Sequence, residues 1–335
     1  MATTVTHVVD PDSGAGFDYD SLFDWEVGEQ GDLTGVRDEI SVAKCRCTNG
    51  TADVTGFTVD GWVTSATQYI KIWTDPTESY RHAGVWPTGN KYVLSTGAAG
   101  VTIAESYTKI FGICHTVTGG ADGIQSSGYV HHVEIAYCIL RATSSTGSEA
   151  IYSNNSSADF WKIYNNIIYD HVMAGVWQRI NSYMGWLYYN NTFHNCGTGI
   201  KDGAGAADCD SIAINNLFST CTTNASGNFA APTDYNATDD ASIGYTVTGE
   251  GNTHDHVSHT FTFANEGGDD FHLASNDVGA IDLGVSDPGS GLFSDDIDGV
   301  ARGATWDIGA DEYVAAVSAL SISVSEALSF AEALD

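Results

Sequence analysis

The stretch IYNNIIYD, Ile163 to Asp170, sets two adjacent asparagines in an apolar run, where an amide without a hydrogen-bond partner costs the fold free energy. The phrase returns as YYNNTFHN from Tyr188 and AINNLFST from Ala213, so Asn166, Asn191 and Asn216 stand 25 residues apart. Aligned on these asparagines, Ile168, Phe193 and Phe218 form one apolar column, Tyr164, Tyr189 and Ile214 a second, and His171, Cys196 and Cys221 a third. Apolar columns two positions either side of the asparagine have the period of strands. A second motif keeps step: Gly123-Ile124, Ala150-Ile151, Gly175-Val176 and Gly199-Ile200, separated by 27, 25 and 24 residues. Each unit therefore holds at least two short strands, cannot bury its own apolar face, and must stack on its neighbours as a solenoid.

These features resemble the pectate-lyase-like superfamily, whose coils have this length and carry asparagine ladders at a turn. The resemblance implies an all-β fold: a right-handed, single-stranded parallel β-helix, with Asn166, Asn191 and Asn216 bonding their own turn and the amide of the next coil. On this reading Asn166 faces the turn interior and Asn165 faces solvent. FHLASNDVGAIDLG from Phe271 and DDIDGVARGATWDIGADEY ending at Tyr313 resemble the closing segment of bacterial and phage β-helix repeat proteins through Asp298, Gly299, Arg302, Asp307, Gly309 and Ala310. Arg302 is expected to be a buried structural partner for Asp298 or Asp307.

The remaining chain divides around that core. SLFDWEVGEQGDL from Ser21 reads as a short capped helix, with Leu22, Trp25 and Val27 covering the apolar end of the stack. Residues 1–18 form an N-terminal arm, 19–95 the cap and entry strands, and 96–314 the helix with its closing segment. Residues 315–335 form an extended tail, in which Leu320, Ile322 and Val324 alternate with serines as in a strand whose partner lies elsewhere.

With 43 acidic against 12 basic residues the net charge is -31, which disfavours nucleic acid and anionic lipid surfaces. The polar start, MATTVTHVVDPDSG, has no Sec-type signal, and no apolar run is long enough to insert in a membrane, so synthesis in a cytosol is expected. Seven cysteines without a CxxC pair argue against a disulfide framework or zinc site. The 24-residue spacing of Cys114 and Cys138, and the 25-residue spacing of Cys196 and Cys221, place them in the stacked core.

Chemistry is sought on the strand after each glycine motif, where Gln125, Tyr152, Trp177 and Lys201 form an outward column with Asn154, Arg179 and Asp202 close by. Aromatic planes beside amides and charges suit a sugar, whose CH faces stack while its hydroxyls hydrogen-bond. The competing reading is a ladder that stabilises the sheet. No residue is assigned as catalytic; were the chain an enzyme, Lys201, Asp202 and Arg179 would match the basic and calcium-binding groups the resemblance implies for a lyase, and Asp208 with Asp210 the carboxylates of a hydrolase. His254, Asp255, His256 and His259 lack the spacing of a metal site, and none is assigned; calcium is the one cofactor kept open.

GVWPTGNKYVLS from Gly84 also resembles β-helix proteins of bacteriophage genomes. The expected function is a non-enzymatic virion structural protein, a capsid-decorating, head-fibre or tail-appendage subunit that touches host glycans. It would meet other virion proteins through its tail and form a homo-oligomer, with a trimer favoured. The alternatives are a polysaccharide lyase or glycoside hydrolase acting as a tailspike depolymerase, and a bacterial surface adhesin.

Overall fold

The computed structural model describes residues 2–97, 100–144, 146–153, 160–179, 185–203, 210–248 and 252–315. They build a parallel β-solenoid of about seven turns, with three strands per turn and not only the two marked by the sequence motifs. The first sheet runs Thr3–Val9, Glu39–Cys45, Ile70–Trp73, Thr108–Phe111, Glu134–Ala136, Lys162–Tyr164, Leu187–Tyr189 and Ile212–Ile214. The second sheet includes Ile139–Ala142, Ile167–Tyr169 and Thr192–His194; the third includes Ile124–Ser126, Glu149–Ser153, Ala174–Gln178 and Thr198–Asp202. Pairing is parallel, in register between equivalent residues, as in Ile163 with Tyr188 and Ile168 with Phe193.

The stack begins earlier than the sequence division placed it. Thr3–Val9 pairs with Glu39–Cys45 and is the first strand of a sheet, not an arm. Three entry strands at Phe57–Val59, Ile70–Trp73 and Val93–Thr96 already belong to the three sheets. Helix α1 (Leu22–Glu29) forms where the short capped helix was expected: Ser21 Oγ accepts from Asp24 N at 3.0 Å, and Leu22 and Trp25 are fully buried. Val27 is 56% exposed. Instead Glu26 turns inward to the Trp62 indole, and burial raises its carboxyl to about 7.

The interior is an aliphatic and aromatic column that includes Ile163, Tyr188, Phe193 stacked on Phe218, and the thiols of Cys138, Cys196 and Cys221. Cys114 is also buried, under the closing segment, and six cysteines are free; Cys209 lies outside the described residues. At the corner between first and second sheets, Asn166 Nδ2 donates to Asn191 Oδ1, Asn191 Nδ2 to Asn216 Oδ1, and Asn216 Nδ2 to Asn236 Oδ1, each at 3.0 Å. The same amides also bond backbone carbonyls of the adjacent turn, at Ile135, Ile163 and Tyr188. The ladder is thus real, and it has a fourth rung at Asn236.

Asn165 does not face solvent. It is fully buried, as are Asn190 and Asn215, because the closing segment runs back along the outside of the same corner. Asn165 Nδ2 donates to Asp295 O, Asn190 Nδ2 to Asp307 O and Gly309 O, and Asn215 Nδ2 to Val285 O. All three first asparagines have φ near +50°, a left-handed turn that asparagine tolerates well. Outside them, Ile297, Ile308 and Ala310 pack on Ile139, Ile167 and Leu217, while Phe293 stacks on Tyr164 at 5.0 Å. Gly309, with φ +103°, passes so close to Thr192 that a Cβ would lie 2.8 Å from its hydroxyl.

Arg302 is the buried clasp, with a different partner from either one expected. Its Nη1 pairs with Glu312 at 3.2 Å, and its Nη2 donates to Asn165 Oδ1 at 2.9 Å and to the Gly309 and Ala310 carbonyls. Asp307 contributes its backbone carbonyl, and Asp298 pairs with His272 at 3.0 Å instead.

Candidate functional site

The third sheet brings together most of the residues predicted for a ligand face. Gln125, Tyr152, Trp177 and Lys201 are consecutive register partners, half-buried on the outward side. Their side chains satisfy one another. The Tyr152 and Trp177 rings lie 5.5 Å apart, Lys201 Nζ sits 3.9 Å over Trp177, Arg179 Nη1 reaches Tyr152 Oη at 3.2 Å, and Gln125 donates to Thr102. Asn154 and Asp208 lie outside the described residues. Asp202 alternates to the opposite side of its strand from Lys201 and is 2% exposed. The trio Lys201, Asp202 and Arg179 is therefore not assembled on one face. Among the described residues no group of three or more His, Cys, Asp or Glu is arranged to hold a metal ion.

The residues of HDHVSH are used structurally. Asp255 accepts from Asn236 N and from Tyr245 Oη and so caps the ladder, and His254 stacks on Tyr235 and pairs with Asp234.

A second outward face, on the first sheet, escaped the sequence reading. Just before its strands stand Tyr69, Tyr107, His132 and Phe160; the Tyr107 and His132 rings stack at 4.8 Å and those of His132 and Phe160 at 4.9 Å. Two residues on, Lys71, Lys109, Glu134 and Lys162 are consecutive register partners. Strands about 4.8 Å apart set this spacing, so rings and charges line up along the solenoid axis. Glu134 is shared by Lys109 at 3.1 Å and Lys162 at 3.7 Å. The pattern was visible in YIKI from Tyr69, YTKI from Tyr107 and FWKI from Phe160, yet the steps of 38, 25 and 28 residues through His132 hid the period.

Openings flank this lysine row. A cavity of 170 Å³ is lined by Tyr69, Tyr107, Lys109, His132 and Glu134, and beyond Tyr69 one of 600 Å³ reaches Thr4, Ile40 and Gln68. On the other side, 140 Å³ lie between Lys71, Trp73, Phe111, Arg81, Tyr137 and Asp295. There Lys71 Nζ sits 3.5 Å over the Trp73 ring. Burial, with Lys109 and Arg81 nearby, lowers its ammonium to about 8. Arg81 is 8% exposed, lies 5.2 Å from the Tyr137 ring, and has a buried Nε with no hydrogen-bond partner among the described residues.

Among solved structures the chain is similar to the crystal structure of pectate lyase Pel9A, at 13% identity and a TM-score of 0.39, over 94% of this chain and 97% of that one. No family model matches, and no curated protein matches.

Proposed function

We propose that this protein is a saccharide-binding structural subunit of a bacteriophage particle, and that the outward face of its first sheet meets the sugar. The observation that carries the reading is the row Tyr69, Tyr107, His132 and Phe160 beside the row Lys71, Lys109, Glu134 and Lys162, flanked by open cavities on a rigid sheet. Flat apolar rings next to donors and acceptors are what a chain of sugars requires. The third-sheet column Gln125, Tyr152, Trp177, Arg179 and Lys201 is a second contact, its rings and cations holding one another as those of the first sheet do. Assignment to a phage particle is supported by the resemblance of the GVWPTGNKYVLS stretch and the closing segment. Attachment through residues 315–335 and a trimeric assembly belong to the same proposal.

A depolymerase is the second reading, favoured by Lys71, whose lowered pKa suits a general base. Incubation with bacterial capsular and algal polysaccharides, following calorimetric binding, reducing ends and unsaturated-sugar absorbance, separates the two. The expected result is binding without turnover, weakened about tenfold by Tyr107→Ala, or about 1.4 kcal/mol. Turnover that disappears in Lys71→Ala overturns the non-enzymatic reading.

A further inference from the structure

The N-terminal end of the stack is closed over a carboxyl group. Helix α1 buries Leu22 and Trp25 at the start of the apolar column, where Trp25 lies 5.4 Å from Trp62 and clusters with Leu33, Phe57 and Val59. Glu26, one residue on, turns into the same place and is 4% exposed. Its Oε1 accepts from Asp60 N at 2.9 Å and from Trp62 Nε1 at 3.0 Å, while Oε2 has only the shared indole at 2.9 Å. A proton on Oε2 leaves both donors an acceptor, so the neutral acid fits the closed helix. The carboxylate fits less well. The basic groups beside α1, His7 on the first strand and Arg37 in the loop after the helix, are taken by Glu29 and Glu39, and among the described residues none pairs with Glu26. An unpaired charge so buried is costly. The other groups facing α1 are acidic: Asp60, Glu105, which accepts from Trp62 N at 3.1 Å, Asp53, which accepts from Leu22 N at 2.8 Å, and Asp24 and Glu29 on the helix itself.

We propose that α1 is an acid-closed lid, which seals the end of the apolar column while Glu26 carries a proton and loosens when Glu26 ionises. Burial raises the Glu26 carboxyl from its ordinary 4.5 to about 7, and burial raises Asp53 and Glu105 as well. The closed lid therefore holds a proton that the open one has released. Closure is complete below about pH 4.5 and is lost as pH rises through 7. Across that window the open population grows on the order of a hundredfold. Opening separates the Trp25 and Trp62 rings and bares the column's first layer, while the coils beyond keep their own neighbours.

Hydrogen exchange of the α1 amides across this pH window, corrected for the intrinsic rate, tests the lid. Protection of α1 should fall about a hundredfold while the coil strands Lys162–Tyr164 and Leu187–Tyr189 keep theirs. Glu26→Gln should cut the fall to about tenfold, the remainder belonging to Asp53 and Glu105. Trp62→Phe deletes the indole donor that favours the carboxylate, so the fall should begin and end at higher pH. Protection of α1 that is flat with pH, that falls equally in Glu26→Gln, or that falls together with the coils overturns the lid, as does a midpoint unmoved by Trp62→Phe.

Discussion

The two asparagines of each pair are chain neighbours with opposite duties. Asn166, Asn191 and Asn216 bond inward, each to the equivalent residue one turn away. Asn165, Asn190 and Asn215 bond outward to a segment that returns from 130, 117 and 70 residues along the chain. A solenoid is held by nearest-neighbour contacts, so its regularity appears in the sequence as a period. The outer column is equally buried, and its repetition has a second cause: a non-repeating strap needs a regular rail on which to dock.

Removing the strap's charged anchor should have the largest effect. Arg302→Ala leaves Glu312 buried without its cation and should cost about 3–5 kcal/mol. Denaturant unfolding measures the loss, and limited proteolysis should show the closing segment cleaved before the coils; simultaneous loss of both would erase the distinction between strap and stack. Next, Asn191→Ala and Asn190→Ala should each cost about 1–3 kcal/mol, since both strand buried groups. Asn190→Ala at no cost would mean that the rail is decorative, whereas equal costs for Asn165→Ala and Asn166→Ala would sharpen the symmetry.

A further effect is a pH dependence confined to the strap. Burial opposes charge on His272, but the Asp298 bond, the Asp311 and Asp298 charges and the Asp270 bond prevail and raise it to about 10. The folded state then holds a proton that the unfolded chain gives up near 6.5, so this stabilisation is complete below about pH 6.5 and lost as pH rises through 10. Asp307, raised to about 7 chiefly by burial, acts in the same direction between about pH 4 and 7. Melting curves should fall from pH 6 to 10 in the wild type and flatten over that range in His272→Gln; an unchanged slope would separate His272 from the strap's stability.

The ladder and the core columns were legible because their spacing is constant. Asn236 escaped because its turn is 20 residues long, although it bonds Asn216 as Asn216 bonds Asn191. The burial of Asn165 and the pairing of Arg302 with Glu312 were not legible, since both depend on a segment placed by tertiary contact and not by period. The first-sheet face failed for a related reason: loops of unequal length separate residues that register as neighbours in the sheet. In the third sheet the register column was legible from the glycine motifs, and the alternation that turns Asp202 away from Lys201 follows from the same strand period.

The strap also sets an order of events. Coils whose contacts lie about 25 residues apart can add one after another at modest loop-closure entropy, and can fray in the same way from a free end. The segment joining Asn215, Asn190, Asn165, Tyr137 and Arg81 crosses several coils at once, so it can dock only after they are stacked. Once docked, it ties the last turns to the earlier ones and removes the C-terminal end from which the coils would unzip. Unfolding must first release a buried seam, so the strap acts on the lifetime of the native state as well as on its equilibrium.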